Sequence, residues 1–89
     1  MSEAERLHQA LGRRVRELRL ARTLTQERLA HDADLHPVFV SRVERGRTAV
    51  TVDTVAALCA VLGVTLAEFF TPFAQPLKLR GPRRRLKSK

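Results

Sequence analysis

Apolar residues recur every three or four positions near the start of the chain: Leu7, Leu11, Val15 and Leu18 form one stripe. That period predicts an amphipathic helix from about Glu3 to Ala21. Ser2 and Glu5 have the spacing of a capping box at its start. Gly12 lies inside this helix, where it costs about 1 kcal/mol relative to alanine, so a close packing contact is expected there. Thr25 is a suitable N-cap for a second helix, Gln26 to about Ala33, with Leu29, Ala30 and Ala33 on its inner face. A tight break follows at Asp34-Leu35-His36. Pro37 then suits a first helical position, where its missing N–H is not needed. A third helix is predicted over Pro37–Arg45, closed by Gly46, with Val40 and Val43 pointing inward. Thr51 caps a fourth, about Val52 to Leu62, ended by Gly63; Val55, Leu58, Cys59 and Leu62 make its apolar face. Thr65 and Glu68 form a second capping box that opens a short fifth helix ending near Phe70. Pro72 and Pro76 stop regular helix beyond it.

The predicted class is all-α: five short helices and no strand pattern in the first 70 residues. The second and third helices are separated by only three residues, Asp34 to His36, which is the spacing of a helix-turn-helix. A chain of 89 residues fits one core. That core must be aliphatic, because Trp and Tyr are absent and there are four Phe. One cysteine allows no internal disulfide, which favours a reducing compartment and a cytoplasmic location. The N-terminus MSEAERLHQA lacks the apolar run of a signal peptide. The run VAALCAVLGV is too short to span a bilayer.

Charge divides the chain. Residues 1–70 carry ten Arg and nine acids, a net of +1, while residues 71–89 carry seven Lys/Arg and no acid, a net of +7. The sequence therefore reads as a near-neutral domain, 1–70, followed by a basic tail or arm, 71–89. The expected partners are polyanions, nucleic acid first and an anionic membrane surface second.

Three pieces in order, RELR (16–19), TQERLA (25–30) and VSRVERGR (40–47), together with the ending LGVTLAEFF (62–70), carry a resemblance. Leu11 to Phe70 resembles the phage-repressor (Cro/cI-like, XRE) helix-turn-helix family of transcriptional regulators. The DLH…VSRVERG stretch looks most like restriction-modification controller proteins. The resemblance implies a five-helix lambda-repressor-like domain that places its third helix in the major groove of double-stranded DNA. A groove about 12 Å wide admits one helix. Mapped onto this sequence, the base-reading positions are Pro37, Val38, Ser41 and Arg42. Arg42 can meet the N7 and O6 of a guanine, Val38 can pack on a thymine methyl, and Ser41 can donate or accept. Pro37 and Val38 depart from the family's usual polar pair there, and Pro37 has no N–H or polar side chain to offer, which shifts the weight of readout to Arg42. Gln26 matches the family's phosphate clamp at the start of the second helix. His36, Arg45 and Arg47 are further phosphate candidates, and Arg14 a lesser one. The resemblance also implies an ion pair, Arg19 with Glu44, that fixes the third helix against the first. Leu66, Phe69, Phe70 and Phe73 are the expected dimer contact, part of which must finish the core. A homodimer would set two recognition helices about 34 Å apart, matching an inverted-repeat operator.

Plainer readings stand beside these. The remaining arginines of the first helix read as a solvated face, Phe39 as packing over a helix corner, and Cys59 as a small buried hydrophobe. His8, His31, His36 and Cys59 show no zinc-ligand spacing. Ser41, His36 and Asp34 have no strained elbow or oxyanion hole to make a hydrolase triad. No Gly-rich phosphate loop is present. No catalytic residue, metal, cofactor or small-molecule ligand is expected, and the chain is not read as an enzyme. The tail PLKLRGPRRRLKSK reads as a phosphate-binding arm, a solubilising end, or a short β-arm pairing across a dimer.

The function expected is a repressor or autoregulator that binds its operator as a homodimer. Two alternatives remain open. One is an antitoxin that binds a toxin protein and regulates its own gene. The other is a tail-driven, sequence-indifferent nucleic-acid binder.

Overall fold

The computed structural model describes residues 1–73. The expectations for 74–89, including the arm and its pairing, lie outside the described residues. Five α-helices follow in order: α1 (Glu3–Ala21), α2 (Gln26–Asp32), α3 (Pro37–Glu44), α4 (Val52–Leu62) and α5 (Leu66–Phe69). A 3-10 turn, Thr71–Phe73, completes the described chain.

Each start has a side-chain cap that satisfies one of the N–H groups a helix leaves free. Ser2 Oγ accepts from the Glu5 N–H at 3.1 Å while Glu5 accepts from the Ser2 N–H at 2.8 Å. Thr65 and Glu68 repeat the exchange at 3.0 and 2.8 Å. Thr25 and Thr51 accept from the N–H groups of Arg28 and Thr54. The capped helices enclose Val15, Leu29, Ala30, Val40, Val43, Val55, Leu58, Cys59, Leu62 and Phe69. Each large aliphatic or aromatic side chain among these contributes roughly 1.5–3 kcal/mol through burial.

Two close approaches set the helix positions. Gly12 faces the C-terminal turn of α3: a Cβ there would collide with the Val43 carbonyl oxygen and lie 2.8 Å from that of Glu44. The backbones of α1 and α3 can therefore cross only over a glycine. Gly46, with φ +70°, ends α3 in a left-handed turn, and a Cβ there would lie 2.7 Å from Gln9 Cα.

The ends of α1, α2 and α3 share one geometry. A left-handed residue follows the cap, and the next N–H donates to the carbonyl five residues back: Leu24 to the Arg19 carbonyl, Leu35 to that of Ala30, and Arg47 to that of Arg42. In α1 and α2 the left-handed residues are Thr23 (φ 55°) and Asp34 (φ 59°), not glycines. Asp34 makes the sharp turn between α2 and α3.

The described chain continues past residue 70 in a 3-10 turn, where Thr71 Oγ1 donates to the Ala67 carbonyl at 3.0 Å and the Phe73 N–H to that of Phe70 at 2.8 Å. Arg6, Arg13 and Arg16 of α1 are exposed, as a solvated face requires, but Arg14 and the cap residue Arg22 are engaged elsewhere. Arg14 donates to the carbonyls of Glu68 and Phe69, both at 2.8 Å, and Arg22 to that of Leu62 at 3.0 Å. They satisfy the carbonyls that end α5 and α4, and so tie both to α1. No helix among the described residues is long and apolar enough to cross a membrane.

Candidate nucleic-acid interface

The site is built on α3 and the entry to α2. Val40, Val43 and Glu44 turn inward. The helical period then places Val38, Arg42 and Arg45 at the centre of the outward face, with Ser41 and Pro37 on its flank. Val38, Arg42, Arg45 and Arg47 are exposed, and Ser41 is half-buried. Arg42, Arg45 and Arg47 have no acidic partner among the described residues. Arg45 Nε leans back on the Ser41 carbonyl at 3.3 Å. The N–H of Arg47 donates to the Arg42 carbonyl at 2.9 Å, which holds its residue beside the end of α3. Three unpaired guanidinium groups thus leave one short helix and its cap, a favourable surface for a polyanion.

A buried network holds this face in place. Arg19 Nε donates to Glu44 Oε2 at 2.6 Å and Arg19 Nη2 to Glu44 Oε1 at 3.0 Å. Arg19 Nη1 also donates to the Leu24 carbonyl at 2.7 Å. Both residues of the pair are 8% exposed, and no buried side-chain nitrogen or oxygen among the described residues lacks a partner. The pair is bidentate, so it fixes orientation as well as distance.

Gln26 joins the same carboxylate, donating from Nε2 to Glu44 Oε1 at 2.9 Å. The pattern of sequence positions gave no sign of this bond. It fixes which way the amide points, leaving Gln26 one amide N–H and its carbonyl oxygen beyond the network. His36 is the N-cap of α3, its Nδ1 accepting from the Val38 N–H at 3.1 Å. That bond assigns the Nδ1 lone pair to the cap and puts the ring proton on Nε2, on an exposed side chain.

Two further expectations are corrected. Arg14 is committed to the carbonyls at the end of α5 and to Glu17 at 3.0 Å, so it is a brace of the fold and not a phosphate ligand. Phe69 is fully buried within one chain. It closes the core and has no surface to offer a second subunit, whereas Leu66 (39%) and Phe70 (37%) are exposed. Phe73 is half-buried and stacks edge-on to Phe70, ring centres 5.5 Å apart. Cys59 is buried, and burial pushes its thiol up from its ordinary value, so it is an unreactive core residue. Among the described residues, no group of three or more His, Cys, Asp or Glu is placed to hold a metal ion.

A helix-turn-helix family matches residues 15–69, which include α2, α3 and the turn between them. The chain belongs to the helix-turn-helix family. Within that family it is 39% identical over 54 residues to the control protein C.BamHI of Bacillus amyloliquefaciens, covering 60% of this chain and 67% of the relative. The restriction-modification controller protein C.AhdI of Aeromonas hydrophila shares its structure with a TM-score of 0.69 at 36% identity, over 71% of this chain and 96% of that one. The clp gene regulator ClgR of Corynebacterium glutamicum does so with a TM-score of 0.70 at 33% identity, over 72% of this chain and 68% of that one. This helix-turn-helix protein is therefore a DNA-binding regulator of the XRE type, similar to restriction-modification controllers. The motifs RELR, TQERLA and VSRVERGR place it there in sequence, and the same segments build α1, α2 and α3 in the fold.

Proposed function

We propose that this protein regulates transcription, most directly of its own gene, by binding an inverted-repeat operator as a homodimer with α3 in the major groove. The observation that carries the reading is the outward face of α3, with Arg42, Arg45 and Arg47 unpaired among the described residues and the helix fixed from behind by Arg19–Glu44. Arg42 is the principal base reader, with a guanine as its partner. Ser41 and Val38 complete the readout beside Pro37. His36 Nε2, the free amide N–H of Gln26, Arg45 and Arg47 meet phosphates on either side of the groove. These contacts position the domain and carry no sequence information themselves.

The dimer contact is Leu66, Phe70 and Phe73. Leu66 and Phe70 are exposed and Phe73 stacks half-buried on Phe70, an apolar surface that includes none of the residues proposed to meet DNA. Two-fold pairing there matches a two-fold operator.

The test is selection of duplexes from a random pool by the full-length chain, followed by the same selection with Arg42→Ala. The expected result is an inverted repeat with a guanine in each half-site, and loss of preference at that guanine alone in the variant, at about 1–3 kcal/mol per contact. Recovery of no common sequence would leave the basic residues 71–89 as the binder and end the repressor reading. Capture of a specific protein with unchanged DNA preference in Arg42→Ala would favour the antitoxin reading.

A further inference from the structure

The front of α3 is unusual for a surface that meets DNA, because apart from the His36 ring it offers no free hydrogen-bond donor, and none from the backbone. Pro37 has no N–H. The Val38 N–H is spent on His36 Nδ1 at 3.1 Å. The N–H groups of Phe39 and Val40 both donate to the His36 carbonyl, at 3.0 and 3.1 Å. Every backbone donor of the first turn of α3 is thus absent or occupied, so the free N–H groups that let a helix start hold a phosphate or a base acceptor are missing here. What this turn does present is apolar: the Pro37 ring and the Val38 side chain, 51% exposed. Val38 takes no part in the core or in the layer packed against it. Polar and charged groups return only in the next turn, at Ser41 and Arg42.

In the major groove, an apolar edge has one complementary feature, the 5-methyl group of a pyrimidine. We propose that the Pro37–Val38 edge reads a pyrimidine 5-methyl group, carried by thymine or by 5-methylcytosine. This rests on the proposed reading of DNA by α3 and makes it more specific. Val38 and Arg42 lie one turn apart on the same face, about 6 Å along the helix axis. The methyl group and the guanine met by Arg42 therefore fall within about two base pairs of each other. The front of the helix selects by shape and water exclusion, and the turn behind it by hydrogen bonding. Binding then responds to the methylation state of the operator, since 5-methylcytosine displays the same group as thymine at the same place.

The experiment uses the full-length chain and the duplex obtained by selection. Each thymine is replaced singly by deoxyuridine, which removes the methyl group and keeps the base pair. Each cytosine is replaced singly by 5-methylcytosine. The titrations are repeated with Val38→Ser and with Arg42→Ala. One position per half-site, within about two base pairs of the selected guanine, is expected to be methyl-sensitive, by about fourfold, the worth of one buried methyl group. A thymine whose replacement by deoxyuridine weakens binding identifies thymine as the source. A cytosine whose methylation strengthens binding identifies 5-methylcytosine. In Val38→Ser the methyl effect disappears while the preference for guanine stays. In Arg42→Ala the guanine preference disappears while the methyl effect stays. The proposal is overturned if no position changes affinity by more than twofold, or if Val38→Ser keeps the full methyl effect. Loss of guanine preference in Arg42→Ala with no methyl effect anywhere would sink this inference and leave the function above intact. Absence of any selected sequence would sink both.

Discussion

Asp34 holds the turn between α2 and α3 at φ 59°, a conformation that costs an L-residue about 1–2 kcal/mol and glycine almost nothing. Glycine gives back part of that gain through its freer unfolded chain. Asp34→Gly is therefore expected to raise stability by about 0.5–1 kcal/mol in chemical denaturation, with the turn unchanged. Gly46 and Gly63 advertise their left-handed turns in sequence, and the break at Asp34-Leu35-His36 was legible although its left-handed residue is not a glycine; the turn at Thr23 carried no mark. Gln26 makes the same point for the site. Its place at the start of α2 was legible, but its bond to Glu44 spans 18 residues and depends on how α2 and α3 meet. The carboxylates give a pH expectation. Hydrogen bonding to the Ser2 backbone N–H holds Glu5 below its ordinary range, and bonds from His31 and then Arg28 do so for Asp32. A lowered folded-state value means these groups stabilise the fold at pH above the ordinary carboxylate range. That contribution is lost as pH falls through the lowered values. Melting temperature should therefore hold from neutral to mildly acidic pH and then drop, with a shallower acid limb in Glu5→Gln.

Between elements, the crossing of α1 and α3 decides where the recognition face points. Arg19 and Glu44 leave one charge buried and unpaired if either is truncated, so Glu44→Ala should cost about 3–5 kcal/mol, read by urea denaturation. Gly12→Ala should also destabilise, by about 1–3 kcal/mol, because its Cβ meets backbone oxygens that cannot give way. A neutral result there would contradict the crossing described. Helix existence and limits were largely legible, because Ser2, Thr25, Thr51 and Thr65 cap four of the five starts and Pro37 marks the other, whose His36 cap went unread. The braces between helices were not. Arg14 falls in register with Leu7, Leu11 and Leu18, and an arginine inside an apolar stripe was the available sign that it packs inward. Arg22 extends the same row and ends on the Leu62 carbonyl. The carbonyls they cap lie 40 or more residues away, a distance that periodicity does not reach.

For the whole molecule, the proposed assembly separates two phenylalanines that are adjacent in sequence. Phe69→Ala should lower stability by about 3–5 kcal/mol, because it empties the core. Phe70→Glu should leave the subunit folded and shift sedimentation from dimer to monomer, with weaker operator binding. A Phe70→Glu chain that still sediments as a dimer would place the interface elsewhere. Fold and family were readable from the order and spacing of motifs, while the division of the aromatic cluster between core and surface required the packing of α5 on α4. The central claim is that α3 reads sequence. The most direct measurement is fluorescence anisotropy of the full-length chain, at two salt concentrations, on the DNA upstream of its own gene and on a scrambled duplex of equal length. The account predicts a preference for the upstream DNA of about 10³-fold or more at physiological salt. Equal affinity for the two duplexes, falling together as salt rises, would contradict it.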